Sequence, residues 1–505
     1  MKKQNLVAAV VVVILVAVAA VVYLRLAGPP GAPARIVAAD DRDYFNVVHE
    51  LLSGAQRSID VIIYQGRFYF QYPLSKSNAL IADLVDAGER GVKVRAILEQ
   101  ANWNHGNSED NRDVWSVLAG TGVSTYFDPL ETTSHSKLVV VDGKYTVMGS
   151  MNWSYYALDK NNEAAVVVES PEIAGEFEAY FDKVLAASTP TYALPEKYVG
   201  AADAVGSKSR TVFVRDLVDS ARFAQDQPPE TRRGLLYMAG VRVVVDEDAL
   251  EEALALDSLF FAEAAGETVR VFGEIPKGAT GEIHALDLET PVTQAAVTRA
   301  FGLERSRLKG LTYAKPVLAW VDAGRVIAIP NDKYIPEVTR LVASAKKRVW
   351  VAMLDARYYE TRPVPPERDK RRPKDAPPSL TNVLLDRLQE AARRGVDVQV
   401  ICDVGPDGQA SAPNNKLAFL KRLTDAGGKA YWDSPDVTTH AKLAIVDDDF
   451  TVVGSTNWSQ PAVEDNNETA VVIESAEINR HYAGFIERVR GQAFDARAIG
   501  AAPRP

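Results

Sequence analysis

The feature of this chain that most constrains its fold is a twenty-residue stretch that occurs twice. Residues 135–154 are HSKLVVVDGKYTVMGSMNWS, and residues 440–459 are HAKLAIVDDDFTVVGSTNWS. The two copies lie 305 residues apart and align without a gap. A chain that repeats one pattern over such a distance is expected to fold as two equivalent units.

The similarity extends beyond this stretch. Residues 35–64 align with residues 325–354, and both predict a short strand, an amphipathic helix and an apolar strand. Residues 78–98 align with residues 382–402, and both predict a helix that ends at a glycine and is followed by a buried strand. Because strands alternate with helices, the pattern favours a largely parallel sheet with helices on its faces.

We therefore predict an α/β fold with two homologous halves, residues 35–186 and 325–492. Residues 187–324 have no counterpart in the repeat. Their pattern of strands and a helix, with a hairpin over residues 317–329, predicts a small inserted α+β domain of unknown role. Residues 493–505 form a tail.

The N-terminus predicts a membrane anchor. Residues 6–24 contain no charged side chain, and as a helix they would span ~28 Å, close to the thickness of a bilayer core. Lys2 and Lys3 favour a cytoplasmic N-terminus, with the rest of the chain outside the cytoplasm. A cleaved signal peptide is the alternative, although its apolar region is usually about 7–15 residues long. We predict that residues 1–34 form a single-pass transmembrane helix and a spacer.

Composition narrows the range of functions. The formal net charge is -10. Because an acidic surface repels polyanions, nucleic acid is disfavoured as a partner, and any anion site must be a local positive pocket. Cys402 is the single cysteine, which excludes an intramolecular disulfide.

The repeated stretch carries the chemically important side chains. His135 and Lys137 alternate with apolar residues, so they lie on one face of a predicted strand. The sequence VDGKY predicts a hairpin with Asp142 at its turn, which returns Ser150 and Asn152 toward the histidine. An imidazole, an ammonium, a hydroxyl and an amide close together suit an anion that carries a leaving group. The second copy supplies His440, Lys442, Asp447, Ser455 and Asn457.

These residues have two other interpretations. A lone histidine on a strand is usually structural, but two of the chain's six histidines occupy this position, one in each copy. Drift in a purely structural repeat would not favour keeping polar residues that face inward. A zinc site is disfavoured because Lys137 would place its charge on the face of the metal, and no cysteine lies nearby in the sequence.

The pattern H-x-K-x4-D-x6-G-S-x-N resembles the motif of the phospholipase D superfamily, and both copies match it at every defined position. The segments NNEAAVVVE and NNETAVVIE, which contain Glu163 and Glu468, resemble a further motif of some members. The resemblance covers both halves but neither the N-terminus nor the inserted segment. It implies two halves related by a pseudo-twofold axis, which pool their motifs in one site for phosphodiester chemistry.

The resemblance also implies a role for each residue. One histidine attacks phosphorus and forms a phosphohistidine, while the other protonates the leaving alcohol and then activates water or an acceptor alcohol. The habit of the family makes His135 the nucleophile and His440 the acid, although the sequence is symmetric. The remaining implied roles are phosphate binding by Lys137, Lys442, Asn152 and Asn457, orientation of the imidazoles by Asp142 and Asp447, phosphate contact or indirect support by Ser150 and Ser455, and support by Glu163 and Glu468. No metal ion or other cofactor is implied.

These observations predict a membrane-anchored phospholipase D-like phosphodiesterase that hydrolyses or transfers phosphatidyl groups. The substrate is a phospholipid or another phosphodiester, and the oligomeric state is left open. One alternative is an exported, metal-independent endonuclease. Another is a non-catalytic lipid-binding scaffold, which two complete motifs disfavour because a damaged copy would be its usual mark. Cardiolipin synthases, which transfer lipid groups, more often have two N-terminal membrane helices, whereas this sequence has one such stretch.

Overall fold

The computed structural model describes residues 31–69, 75–193, 259–265, 268–273, 313, 315–316, 318–360, 378–405 and 414–496. The predicted membrane anchor and most of the inserted segment lie outside these residues. No helix among the described residues combines the length and the hydropathy that a membrane span requires.

The first half alternates strands with helices and then returns through consecutive strands. Its elements are β1 (Ala32–Ala38), α1 (Asp43–Gly54), β2 (Ser58–Ile63), α2 (Lys76–Glu89), β3 (Lys93–Leu98), α3 (His105–Leu118), β4 (Val123–Phe127), β5 (Lys137–Val141), β6 (Tyr145–Gly149), α4 (Tyr155–Asp159), β7 (Ala165–Glu169) and α5 (Pro171–Ala187). In the inserted segment, β8 (Leu259–Ala265) and β9 (Thr268–Gly273) form an antiparallel pair.

The second half repeats this order. Its elements are β10 (Val321–Ala328), a 3-10 turn (Asn331–Lys333), α6 (Tyr334–Ser344), β11 (Arg348–Met353), α7 (Leu380–Arg393), β12 (Asp397–Cys402), α8 (Asn414–Asp425), β13 (Lys429–Trp432), β14 (Lys442–Val446), β15 (Phe450–Gly454), a π-helical turn (Pro461–Asp465), β16 (Ala470–Glu474), α9 (Ala476–Arg490) and β17 (Phe494–Asp495). The predicted glycine stops are confirmed, because Gly91 and Gly395 follow α2 and α7 with φ of 87° and 89°.

One 15-stranded sheet joins the two halves, in the order β17-β13-β12-β11-β14-β15-β16-β10-β1-β7-β6-β5-β2-β3-β4. The central pair, β1 and β10, is antiparallel. From β1 outward, the strand order is the same as from β10 outward, apart from the added β17. The two predicted homologous halves are thus present, in the order expected for a pseudo-twofold relation. The tail contributes β17, which pairs with β13.

The prediction of a largely parallel sheet is wrong. Parallel pairing is confined to β2–β3–β4 and β11–β12–β13, where helices connect the strands. The other neighbours in this sheet pair antiparallel, because the chain passes from β5 to β6 and from β14 to β15 through tight turns. A tight turn can join only antiparallel strands, so each motif hairpin introduces antiparallel pairing into the sheet.

The predicted hairpin over residues 317–329 is also wrong. Residues Val321–Ala328 form one continuous strand, β10. Its two edges pair with β1 and β16, which leaves no edge for a hairpin partner.

Three apolar clusters hold the fold together. Helices α1–α3 cover the outer face of the first half-sheet, and α6–α8 cover that of the second. Helices α5 and α9 pack in a shared central cluster that includes residues from the inner faces of both half-sheets. Successive residues of a strand point to opposite faces of the sheet, so Val61 and Ile63 face the outer helices and Ile62 faces the shared central cluster.

The strand directions bring the motif residues to one edge of each half-sheet. The end of β2 meets the start of β5, where Ile63 pairs with Lys137. The end of β3 lies beside the end of β2, and Gly149 at the end of β6 returns to the same edge. Met353 and Lys442 make the equivalent pair in the second half. The loops at this edge form the surroundings of the candidate site.

Candidate active site

The motif hairpin forms as predicted. Val141 pairs with Tyr145, and the turn between them contains Asp142 and Gly143 with φ of 57° and 58°, positive values that a tight turn uses. Strand β6 then returns Ser150 and Asn152 to the edge at which His135 lies. Asp447, with φ of 51°, occupies the same position in the second hairpin.

Each motif histidine is held by a glutamate of the opposite half. Nδ1 of His135 lies 3.0 Å from both carboxylate oxygens of Glu468. Nδ1 of His440 lies 2.9 Å from Oε2 of Glu163. All four side chains are buried or nearly so. Neither half therefore contains a complete site, because the group that fixes each imidazole comes from the other half.

The two NNE segments explain how the glutamates reach across. The backbone carbonyl of the second asparagine in each segment accepts a hydrogen bond from the other half, at or next to its motif histidine. His440 N donates to Asn162 O at 2.9 Å, and Ser136 N donates to Asn467 O at 3.1 Å. The first asparagine of each segment, Asn161 or Asn466, donates its side-chain amide to the adjacent glutamate. These bonds fix both the position and the rotamer of each carboxylate.

The motif serines also support the glutamates. Ser150 Oγ donates to Glu163, and Ser455 Oγ donates to Glu468. Both serines are fully buried. Two roles were expected for these serines, phosphate contact or indirect support. A hydroxyl has one hydrogen to donate, and here it goes to the glutamate, which favours the indirect role.

The lysines and asparagines supply the donors that face an anion. Lys137 Nζ donates to His135 O, and Lys442 Nζ donates to His440 O, each at 2.5 Å. Burial lowers the pKa of Lys137 far below its usual value and that of Lys442 to about 8. The side-chain oxygens of Asn152 and Asn457 have no hydrogen-bond partner among the described residues. Buried ammonium groups favour an anionic ligand, and the amide nitrogens of the two asparagines can also donate to it, whereas their unpartnered oxygens are acceptors.

The two histidine–glutamate pairs differ electrostatically. Burial lowers the pKa of His135 well below its usual value, and the charges of Lys137 and Lys442 lower it further. Burial also lowers the pKa of His440, but the Glu163 carboxylate opposes that effect. Burial raises the pKa of Glu468 to about 7, whereas His440 and Lys442 overcome the same effect of burial on Glu163 and lower its pKa. The pKa of His440 is still lowered, but His440–Glu163 is the pair in which a carboxylate counteracts the effect of burial on the imidazolium.

A tyrosine that the sequence analysis missed breaks the symmetry of the site. The ring centroid of Tyr64 lies 4.4 Å from that of His135, edge to face, and 4.3 Å from Lys137 Nζ. The repeat-equivalent residue in the second half is Leu354. Comparing the two halves position by position would have found this difference, although not the contact.

A second missed pair is symmetric. Asp128 accepts hydrogen bonds from the backbone N–H groups of Gln100 and Ser134, and Asp433 accepts them from Val404 and Thr439. Ser134 and Thr439 immediately precede the two histidines. These aspartates lie seven residues before each histidine, so the repeat itself could have identified them.

Comparison with known proteins identifies the fold family. The family model described as "Cardiolipin synthase, PLD-like domain" matches residues 48–185 and 338–490, which is more than half of the chain. The chain belongs to the phospholipase D superfamily. The family recognised from the two sequence motifs is thus confirmed.

Curated relatives and a solved structure agree with this assignment. A mitochondrial cardiolipin hydrolase from Chlamydomonas reinhardtii is 25% identical over 27% of this chain and 54% of its own length. A phospholipase D from Rickettsia bellii is 28% identical over 21% of this chain and 52% of its own length. The chain spans about half the length of these relatives. The structure of phosphatidylserine synthase from Haemophilus influenzae shares the fold with a TM-score of 0.50 at 10% identity, covering 92% of this chain and 89% of that one.

One role that the phospholipase D resemblance implied is wrong for this chain. Asp142 and Asp447 do not orient the imidazoles. The carboxylate of Asp142 accepts backbone N–H groups of Gln56, Arg57 and Ser58 at 2.7–3.1 Å, and Asp447 binds the equivalent backbone. Because Asp142 lies at the far end of β5, about 16 Å along the strand from Lys137, it cannot reach His135. Glu468 and Glu163 hold the imidazoles instead.

The corrected role can be tested with Asp142→Asn and Asp447→Asn. Asparagine tolerates positive φ, so the change removes charge without backbone strain. We expect each variant to lose about 1–2 kcal/mol of stability, seen in calorimetry as a thermal midpoint lowered by a few degrees. Histidine-labelled NMR should show unchanged pKa values for His135 and His440. Shifted histidine pKa values with an unchanged midpoint would restore the orienting role.

Proposed function

We propose that this protein is a phosphodiesterase of the phospholipase D type that acts on phosphatidyl groups through a phosphohistidine. The observation that carries the proposal is the reciprocal arrangement of the two histidines, each bound through Nδ1 to the other half's glutamate. Fixing Nδ1 leaves Nε2 of each ring for chemistry at phosphorus. A diester needs one group to attack and another to release the alcohol, and this site supplies one of each.

In the first step, Nε2 of His135 attacks phosphorus and forms a P–N bond. The bond to the leaving alcohol breaks, and its oxygen takes the proton of the His440 imidazolium. In the second step, neutral His440 removes a proton from water or an acceptor alcohol. The resulting oxygen attacks phosphorus, the P–N bond breaks, and both histidines return to their starting states.

The cations stabilise the transition state of each step. Negative charge concentrates on the non-bridging oxygens as phosphorus becomes pentacoordinate. Lys137 and Lys442 are held by backbone carbonyls before the substrate arrives, so their stabilisation needs little reorganisation, and the amide N–H groups of Asn152 and Asn457 add further donors.

The electrostatic difference between the pairs supports the division of labour. A nucleophile must be unprotonated, and the pKa of His135 is lowered well below its usual value by burial. A general acid must hold a proton, and the Glu163 carboxylate opposes the lowering of the pKa of His440 by burial. We therefore assign His135 as the nucleophile and His440 as the acid.

The substrate proposal rests on chemistry and on relatives. The net charge of -10 disfavours nucleic acid, and the relatives named above are a cardiolipin hydrolase and a phospholipase D. The uncharged residues 6–24 support a membrane-anchored enzyme whose catalytic halves lie outside the cytoplasm.

The proposal is tested by assaying the full chain in EDTA against three substrates. These are phosphatidylglycerol vesicles, a short-chain soluble phosphatidyl diester, and single-stranded DNA. We expect release of the headgroup alcohol from both lipids and no cleavage of DNA. EDTA should leave the rates unchanged, since the cations of the chain itself bind the phosphate.

Hydrolysis and transfer are separated by adding glycerol and following phosphatidic acid against transferred product. Preferential cleavage of DNA would instead support the endonuclease. A rate that EDTA abolishes and one divalent ion restores on the soluble diester would contradict the proposed mechanism. Tight lipid binding without turnover would support the scaffold.

A further inference from the structure

The exposed large apolar side chains gather around the site. Within the described residues, they are Trp103, Tyr155, Tyr156 and Leu380, with exposures of 63%, 44%, 64% and 38%. All four lie in loops or at helix starts that follow strands ending at the site edge. Scattered apolar side chains are normal on a surface, but a set confined to one edge is not.

One contact and two positions in the chain place the first three near the motif residues. The indole Nε1 of Trp103 donates to Thr133 Oγ1 at 3.2 Å, two residues before His135. Tyr155 and Tyr156 begin α4, in the short excursion that separates Asn152 from Glu163. Their rings pack against each other with centroids 5.6 Å apart.

The second half provides an internal comparison. At the positions equivalent to Tyr155 and Tyr156 it has Gln460 and Pro461, and Gln460 is buried. The excursion has the same length in both halves, and Trp153 bonds to Tyr44 in one half as Trp458 bonds to Tyr334 in the other, although α4 is an α-helix and its counterpart is a π-helical turn. An excursion of this length thus forms without tyrosines, and they distinguish the surface of the first half.

The charges around α4 differ between the halves in the same way. Arg42 and Lys160 lie next to the tyrosines, and Lys160 Nζ is 5.5 Å from the Tyr155 ring centroid. The equivalent residues in the second half are Asp332 and Asp465. At these two positions the first half has cations beside the aromatic rings where the second half has acidic side chains, although Asp41 and Asp43 flank Arg42 in the sequence and Lys333 follows Asp332.

The segment that carries the tyrosines is firmly held. The Arg42 guanidinium donates to the carbonyl oxygens of Lys160 and Asn161 at 2.8 and 2.6 Å. The Tyr155 N–H donates to Tyr69 Oη at 2.8 Å. Exposed rings on a fixed backbone lose little conformational freedom when they are buried by a partner.

We propose that Trp103, Tyr155 and Tyr156, with Arg42 and Lys160, form a docking surface for an anionic phospholipid bilayer. This inference rests on the proposed phosphatidyl substrate. Tyrosine and tryptophan combine an apolar ring with a polar tip and suit the bilayer interface, and nearby cations attract anionic headgroups. Docking through this surface turns the first half toward the lipid and leaves the equivalent surface of the second half, with Asp332 and Asp465, in water.

Charge favours a bilayer over single-stranded nucleic acid as the occupant. Nucleic acid also stacks on aromatic rings, but it requires a continuous basic groove along its backbone. Here Asp332 and Asp465 stand at the equivalent positions across the site, and the chain carries a net charge of -10. A bilayer needs only one favourable face.

Matched tryptophan reporters test the surface in the full chain reconstituted in vesicles. Tyr156→Trp reports on the proposed surface, and Pro461→Trp reports on the equivalent place in the second half. With phosphatidylglycerol brominated in its acyl chains, we expect the added fluorescence of Tyr156→Trp to be strongly quenched. That of Pro461→Trp should be nearly unaffected. Equal quenching of both reporters, or of neither, would overturn the proposal.

Activity provides a second measurement. Tyr156→Ser removes ring area that would enter the lipid, so the ratio of vesicle turnover to soluble-diester turnover should fall roughly tenfold. Lys160→Gln should lower that ratio roughly fivefold on phosphatidylglycerol and little on phosphatidylcholine. An unchanged ratio for Tyr156→Ser contradicts the docking surface.

Two further outcomes separate the possible failures. If wild-type protein does not cleave the soluble diester, the proposed function fails, whatever the reporters show. If oligothymidylate quenches Tyr156→Trp and brominated lipid does not, the surface binds nucleic acid and the bilayer proposal is wrong.

Discussion

Replacing His135 with Asn is expected to abolish turnover of every phosphodiester substrate, because no covalent intermediate can form. The variant should be assayed on two substrates. One is a natural diester with a poorly leaving alcohol, and the other is a nitrophenyl diester whose leaving group departs without a proton. Both rates should fall to background, and no phosphohistidine should be trapped.

His440→Asn should separate the two substrates. The natural diester should slow by roughly 10²–10⁴-fold, since its alkoxide needs a proton. The nitrophenyl diester should give a burst of nitrophenol equal to the enzyme present and then stall, because the same imidazole activates the incoming water. A phosphohistidine should then be trapped on His135.

A reversed pattern between the two variants would exchange the roles of the histidines and keep the mechanism. Equal loss on both substrates in both variants, with neither burst nor trapped intermediate, would contradict the division of labour. Because His135 is buried and His440 nearly so, an unchanged thermal midpoint must accompany each result.

The second large effect on the reaction rate is expected when the glutamate of one half that binds the histidine of the other half is replaced. Glu163→Gln removes the carboxylate that favours protonated His440. The natural diester should therefore lose rate by roughly 10²–10⁴-fold while the nitrophenyl burst persists. Glu468→Gln, the matched variant, acts on the nucleophile and should slow both substrates to a similar extent.

The pH dependence distinguishes this role from a structural one. A general acid loses activity as the pH rises through its pKa. Removing the Glu163 carboxylate lowers the pKa of His440 further, so the alkaline limb of the rate profile should move to lower pH in Glu163→Gln. If the rate falls at every pH and the alkaline limb stays at the same pH, Glu163 has only a structural role.

Much of the site followed from local pattern. The alternation around His135 and Lys137 predicted the strand, and VDGKY predicted the turn that returns Ser150 and Asn152. These features depend on residues within about twenty positions of one another. Steric preferences and side-chain alternation are local, so sequence alone was sufficient for them.

The errors arose where pairing partners lie far apart in the chain. The sheet was predicted as largely parallel because periodicity reveals a strand but not the direction of its neighbour. Residues 317–329 resembled a hairpin because the partners of β10, which are β1 and β16, cannot be read from those residues. Asp142 was given a catalytic role by its place in the motif, whereas its partners are backbone groups of Gln56, Arg57 and Ser58.

The sequence by itself determined that this protein has two equivalent halves, that each carries one complete motif, and that the motifs belong together. Only the tertiary structure decided which carboxylate serves which histidine. Glu163 lies 28 residues from His135 but binds His440, 277 residues away. The reason is that a repeated sequence is symmetric in its pattern, while a hydrogen bond forms between side chains that packing brings together. The pairing of β2 with β5 inside the first half also placed Tyr64 against His135, whereas the second half has Leu354 at the equivalent position, and this made two equivalent motifs unequal.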